Sequence, residues 1–373
     1  MTTHHPPAMH PGPAPATTVA SDRPAPARVP VAPRSPWRRT AVGLSTVLVV
    51  AAATLPEWAD AYTTSTASRV LALALLAVSV SVLTGHAGLP TLGQTAPFAV
   101  GAYTAALLAA HDHTLGTVGA VQVVAAAAAA AGCSALTGLL LVYTRGTVYL
   151  MVSVAVGNLA VTAADQWTAV TGGTNGLTFV PTVRLLPGTA ELVSDPAIYW
   201  YCLAVATLVL TVGWLVLRGP AGMLLHAIRD HEPRMQASGH PTTRYLYYVH
   251  LAAGALAGVG GALLVTVQHA MTPADAGFDT AVIVLLAGAV GGRTIAGTLL
   301  GVATIIGVRD VIGGPFAGHA PALVGGLYLL SVYLLPDGAL TAARRAAGRV
   351  RTVLGRTYRA RRGRVALPGE EQP

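Results

Sequence analysis

The chain has 373 residues, 53% of them hydrophobic and only 10% charged. Soluble domains carry about 25% charged residues, and several runs here are nearly charge-free over roughly the 20 residues that a helix needs to cross ~30 Å of hydrocarbon. This excludes an ordinary soluble enzyme, and the continuous apolar runs exclude a transmembrane barrel, whose strands alternate over ~10 residues. The net charge is +8 and all 23 basic residues are arginine; most flank apolar runs, where they set topology, so the charge points to no nucleic-acid partner.

In chain order, residues 1–36 hold ten prolines and no apolar periodicity, which predicts a disordered cytoplasmic tail. Arg23, Arg28, Arg34, Arg38 and Arg39 precede the first apolar run. That basic region is longer than a signal peptide's, so the run reads as a retained helix with the N-terminus in the cytoplasm. Ten candidate spans follow from the apolar runs: 39–56, 68–84, 91–110, 117–144, 147–168, 197–217, 244–268, 279–292, 295–312 and 319–335. The eighth is short and reads as partly re-entrant. This topology puts 20 of the 23 arginines inside and leaves only Arg69, Arg184 and Arg309 outside, in line with the positive-inside rule. The expected fold is an all-α polytopic membrane protein of about ten transmembrane helices, some broken or re-entrant. Its transmembrane domain covers 37–336, and a basic cytoplasmic tail covers 337–373.

Residues 83–110, LTGHAGLPTLGQTAPFAVGAYTAALLAA, are apolar yet interrupted by Gly85, Gly88, Pro90, Gly93, Pro97 and Gly101. Irregular backbone at membrane depth is tolerated only inside protein or beside a watery cavity. Broken helices often line transport sites, because their freed backbone groups can contact a solute. Gln94, Thr95 and Tyr103 are the polar candidates there; the alternative is tight packing around a connection between spans. Asn158 and Asp165 lie along the fifth span. Asn158 suits either the pathway or an interhelical hydrogen bond, and Asp165 lies near the outer end, where water can reach it.

The outer segment 169–196 is long for a connection. Its Thr171, Gly172, Gly173 and Asn175 suit an outer vestibule, a docking loop or an ordinary turn. The inner segment 218–243, RGPAGMLLHAIRDHEPRMQASGHPTT, is amphipathic, with Met223, Leu224, Ala227 and Ile228 on one helical face. Arg229 and Glu232, three apart, are spaced to pair. Asp230 can cap a second short turn that Pro233 begins.

Without lysine there is no G-x-x-x-x-G-K-[ST] phosphate loop, so another polypeptide must hold any ATP. His111, Asp112 and His113 form the one candidate metal cluster, and their spacing is poor evidence for a site. Cys133 and Cys202 lie inside apolar runs and read as small buried hydrophobes. No acid–base or nucleophile motif is present, so no catalytic residue, metal or cofactor is assigned.

The stretch GHAGLPTLGQTAPFAVGAYTAALLA resembles the hallmark of the permease subunits of branched-chain amino acid ABC importers, the LivM type. The resemblance continues through WTAVTGGTNGL, RGPAGMLLHAIRDHEPRMQASG and LLAGAVGGRTIAGTLLG, covering roughly residues 68–336. It implies an ABC importer permease-like fold forming a membrane pathway for branched-chain or related small amino acids. It also implies two cytosolic ABC ATPase subunits, a second, LivH-like permease subunit and an extracytoplasmic solute-binding protein, assembled in a bacterial cell membrane. Segment 218–243 would dock on the ATPases, with Ala227, Ile228, Arg229, Glu232 and Gly239 in the coupling motif. Departures are Gln94 in place of a usual His, Met223 in place of a common Arg, and the additional Pro90, Pro97 and Pro233; they bear on substrate and docking detail, not on the fold. The rival reading is a stand-alone H⁺- or Na⁺-coupled carrier, for which Asp165 and Asp310 are the obvious carboxylates.

Overall fold

The computed structural model describes residues 60–111, 115–141, 143–185, 188, 191–291, 295–313 and 325–326. The N-terminal tail, the span at 39–56, Asp112 and His113, Arg293, nearly all of 319–335 and the C-terminal tail lie outside the described residues.

Helices occupy every expected span within that range. They are α1 (Ala61–Ser81), α2 (Thr95–His111), α3 (Gly119–Leu141), α4 (Gly146–Gln166), α5 (Asp195–Arg218), α6 (Pro220–Ala237), α7 (Thr242–Gln268), α8 (Phe278–Gly291) and α9 (Ile295–Gly313). Six segments among the described residues are long and apolar enough to cross a membrane. α2 has 17 residues and α8 has 14. The 3₁₀ turn Pro273–Ala276 extends the α8 segment back to Pro273, and the combined Pro273–Gly291 segment reaches membrane-spanning length.

α1 and α7 form the centre. Their apolar windows are 78% and 72% buried, against 22% for α3, α4 and α5. α7 packs along α1, α2 and α3. Small residues permit this: Gly254 and Gly258 of α7 face Ser134 and Ala130 of α3, and a Cβ on Gly258 would lie 2.2 Å from that of Ala130. Lipid offers no hydrophobic drive for helix association, so close van der Waals approach through small residues supplies it. The period of four in α3 (Gln122, Ala126, Ala130, Ser134 and Gly138, all buried) is the sequence imprint of that contact.

The two ends of the bundle differ. One end carries Arg145, Arg218, Arg229, Arg234 and Arg244 around α6. The other carries the irregular segment between α4 and α5. There β1 (Leu177–Thr178) pairs antiparallel with β2 (Ala270–Met271), which joins that segment to the end of α7. The sequence reading contained no strands, and two-residue strands give no periodic signal.

Candidate functional site

α1 does not stop where its apolar run ends. It continues as a π-helical turn, Val82–Ala87, and closes at Gly88 with φ 74°. An L-residue resists that left-handed conformation, and a Cβ on Gly88 would also lie 2.9 Å from Arg229 Cγ. Residues 88–94 are then non-helical, and α2 begins at Thr95. Pro90 falls in the irregular stretch, and Pro97 falls in the first turn of α2, where a missing N–H costs little.

α4 satisfies part of the freed backbone. Leu92 N donates to Ser153 Oγ at 3.2 Å, and Ser153 Oγ donates to Leu150 O at 2.8 Å. Gly93 sits so close that a Cβ there would lie 2.5 Å from Ser153 O. Thr95 packs near Gly157 of α4. The broken segment is thus buttressed by α4, with polar partners inside protein as membrane depth requires.

Gln94, Thr95 and Tyr103 are all buried, at 1%, 4% and 7% exposure. Among the described residues, both amide atoms of Gln94 and the Tyr103 hydroxyl lack a hydrogen-bond partner. Unpaired buried polar groups each cost on the order of 1–3 kcal/mol, so their persistence calls for a reason other than stability.

Asn158 lies elsewhere. It is exposed on α4 together with Thr162 and Gln166. Steps of four place these three polar residues in one stripe. The surrounding face is apolar, with Met151 72% and Leu159 68% exposed. A polar stripe of this kind is unfavourable against hydrocarbon and suits a protein neighbour or a water-lined path.

Asp165 is half-buried near the end of α4, and both it and Asp275 act electrostatically on the Tyr103 hydroxyl. Thr171 closes the short turn that follows, donating to Ala164 O at 2.5 Å and to Trp167 O at 2.7 Å. Gly172 and Gly173 take positive φ, Gly173 is buried, and Asn175 is exposed. Beyond them Arg184 pairs with Glu191 at 2.5 Å. Hydrogen bonds from Thr182 and Arg184 hold the Glu191 carboxyl below its ordinary range. The structure therefore gathers Gln94, Thr95 and Tyr103 inside, Thr171, Gly172, Gly173 and Asn175 at one end, and Asn158 on an outer face.

At the arginine-rich end, α6 turns its buried face, Gly222, Leu225 and Ile228, to the bundle. Ala227 is half-buried. Met223, assigned from sequence to the same face as Ile228, is 73% exposed. The helix lies one position around from that assignment, because Gly222 packs against the end of α5, where a Cβ would lie 1.8 Å from Leu217 O. The backbone breaks at His231 (φ −155°, ψ 79°), two residues before Pro233, which disfavours helix ahead of it. Gly239 (φ 81°) lies just beyond the end of the helix and is exposed.

Glu232 pairs with Arg145, not with Arg229. Arg145 Nε donates to Oε2 at 2.8 Å and Nη2 to Oε1 at 2.7 Å, and Thr242 and Gln236 also donate to Oε1. The kink at His231 separates Arg229 and Glu232, so they no longer share one regular turn. The bidentate Arg145 contact holds the Glu232 carboxyl below its ordinary range. Arg229 instead reaches across to donate from Nη1 to Gly85 O in the π-turn, and the His226 ring meets His86 edge-on at 5.1 Å. Sequence reasoning missed Arg145, although it is the one charged residue in the short turn between α3 and α4.

A family model for the permease component of branched-chain amino acid transport systems matches residues 62–335. The chain belongs to this family. It is a multi-pass membrane permease component of a branched-chain amino acid ABC transport system, a family that lacks an ATPase domain and works within a transporter complex. It is similar to the high-affinity branched-chain amino acid transport system permease proteins LivM of Salmonella typhimurium and Escherichia coli. Each is 26% identical over 318 residues, covering 80% of this chain and 74% of theirs. No solved structure matches.

Proposed function

We propose that this permease lines the path for branched-chain or related small amino acids and is driven through α6 by two separate cytosolic ATPase subunits, which use the ATP. One observation carries the reading: α6 grips both elements that frame Gln94. Arg229 holds the π-turn that leads into the broken segment, and Glu232 holds Arg145 at the start of α4. A displacement of α6 would therefore move the broken segment and its buttress together. Its exposed side, with Met223, His226, Asp230 and Arg234, is left for the ATPase.

The unpaired atoms of Gln94 and Tyr103 are the groups for a solute or its water to satisfy. The Asn158–Thr162–Gln166 stripe faces the second, LivH-like permease or the path between the two. Thr171, Gly172, Gly173 and Asn175 lie on the side of the external binding protein. On this reading α6 and both termini lie in the cytoplasm of a bacterial cell, and the chain comprises a tail (1–36), a transmembrane domain (37–336) and a second tail (337–373).

The test is gentle affinity purification from the native host, followed by ATP-dependent uptake of labelled leucine in proteoliposomes. Co-purification of a phosphate-loop ATPase and a second permease, with uptake that requires ATP, supports the reading. A single species that accumulates solute without ATP overturns it in favour of an ion-coupled carrier.

A further inference from the structure

Three arginines lie at the end of the bundle away from α6: Arg69, Arg184 and Arg309. Glu191 neutralises Arg184. Arg69 on α1 and Arg309 on α9 line one cleft of about 30 Å³ with Leu73, Leu264, Asp275, Thr280, Ile283 and Ile306. Its position on the two helices follows from their packing: Thr298 Oγ1 donates to Ser81 Oγ at 3.0 Å, and from there the chains run in opposite directions to Arg69 and Arg309.

Arg69 is half-buried and Arg309 is exposed at the rim of the cleft, and two observations leave the pair open to an anionic ligand. Arg69 Nε is buried with no hydrogen-bond partner among the described residues. Among the described residues neither guanidinium makes an ion pair. Among the described residues the cleft's one carboxylate, Asp275, is held in place by Thr272, whose N and Oγ1 donate to Oδ2 at 3.0 and 2.7 Å. The described lining, two guanidiniums and one carboxylate among Leu and Ile side chains, carries a net positive charge. A buried guanidinium nitrogen without a partner is costly, and guanidinium forks match a carboxylate.

We infer that Arg69 and Arg309 form a carboxylate-binding subsite for the head of the amino acid solute. This rests on the transport reading above. The free volume accepts about two water-sized groups, which is the size of a carboxylate and too small for a whole leucine, so the side chain lies outside the cleft. Asp275 is placed to meet the solute's ammonium, and the Pro273–Ala276 turn that carries it packs against α2, the helix of Tyr103. The subsite discriminates a free amino acid from its amide.

The experiment uses the assembled transporter in proteoliposomes of neutral lipid, with R69Q, R309Q and the conservative R69K. Each Gln variant is expected to raise the half-saturating leucine concentration about tenfold or more and to narrow the preference for leucine over leucinamide. R69K is expected to retain part of both. On the wild-type assembly, leucine should protect Arg69 and Arg309 from phenylglyoxal, and leucinamide should not. Protection supports the subsite even in a preparation that fails to transport, so the two readings fail separately. Unchanged half-saturation in both Gln variants overturns the inference, as does absence of protection. Protection by phosphatidylglycerol but not by leucine also overturns it and assigns the arginines to a lipid headgroup.

Discussion

Replacing Gln94 with leucine separates stability from transport. The side chain is 1% exposed and neither amide atom has a partner. Leucine has nearly the same volume and no polar atom, so it fills the space without a desolvation penalty. One unpaired buried group costs on the order of 1–3 kcal/mol. Removing two should therefore stabilise the fold by about 2 kcal/mol after allowance for imperfect packing. A gain of that size corresponds to a rise of about 2–3 °C in the midpoint of a chain this large.

The assay is thermal unfolding in detergent, read by loss of the monodisperse species, alongside uptake in proteoliposomes. Membrane proteins commonly unfold irreversibly, so wild type and variant must be heated at one scan rate. The expected result is a more stable protein with strongly reduced uptake, the pattern of a residue kept for function at the expense of stability. A less stable Q94L with normal uptake would show that Gln94 bonds within the fold, and the pathway argument for the broken segment would fall with it.

Four further outcomes follow. Glu232→Gln keeps the shape of the Arg145 contact but loses its charge; for a pair about one-third exposed the loss is about 1–2 kcal/mol, and uptake per ATP hydrolysed should fall while the charge-swapped R145E/E232R pair recovers part of it. Since the folded carboxyl lies below its ordinary 4.5, the clamp is intact above that value and is lost only as pH falls through the lowered value; coupling measured from pH 8 to pH 5 should be flat on this account, and a transition near neutrality would exclude Glu232 as its origin. Gly258→Leu puts carbon where Ala130 Cβ would already be 2.2 Å away, so α3 and α7 must separate, at a cost of about 3 kcal/mol or more; folded yield should collapse, and a wild-type yield would contradict the packing. Asp165→Asn should leave ATP-driven uptake independent of pH and Na⁺ gradients, whereas loss of a gradient-driven component would favour a coupled carrier.

The helices were legible because their signal is long and redundant. Each span is a run of about 20 apolar residues, and a few misplaced boundaries do not erase it. The broken segment was legible too, since glycine and proline inside an apolar run have few explanations at membrane depth. What escaped were relations between distant residues. Arg229 and Glu232 are three apart and invite pairing on paper, yet a break at His231 sends one to Gly85 and the other to Arg145, 144 and 87 residues away. Met223 was misassigned for a related reason: the face of α6 is set by the tight seat of Gly222 on Leu217, and apolar spacing carries no record of that contact.

The same distinction applies to the polar residues. Sequence grouped Gln94, Tyr103 and Asn158 as intramembrane polar groups, but the structure gives them different physical problems. Gln94 and Tyr103 are sealed inside with unpaired atoms, so whatever satisfies them must enter between α2 and its neighbours. Asn158 is open on a face that the described residues leave uncovered, so whatever satisfies it comes from beyond them. α4 bears on both, since Ser153 and Gly157 brace the broken segment while Asn158, Thr162 and Gln166 look away. A rotation of α4, driven through Arg145 by α6, would change both environments at once. That links the α6 clamp to the interior polar groups through a single rigid helix and requires no longer chain of contacts.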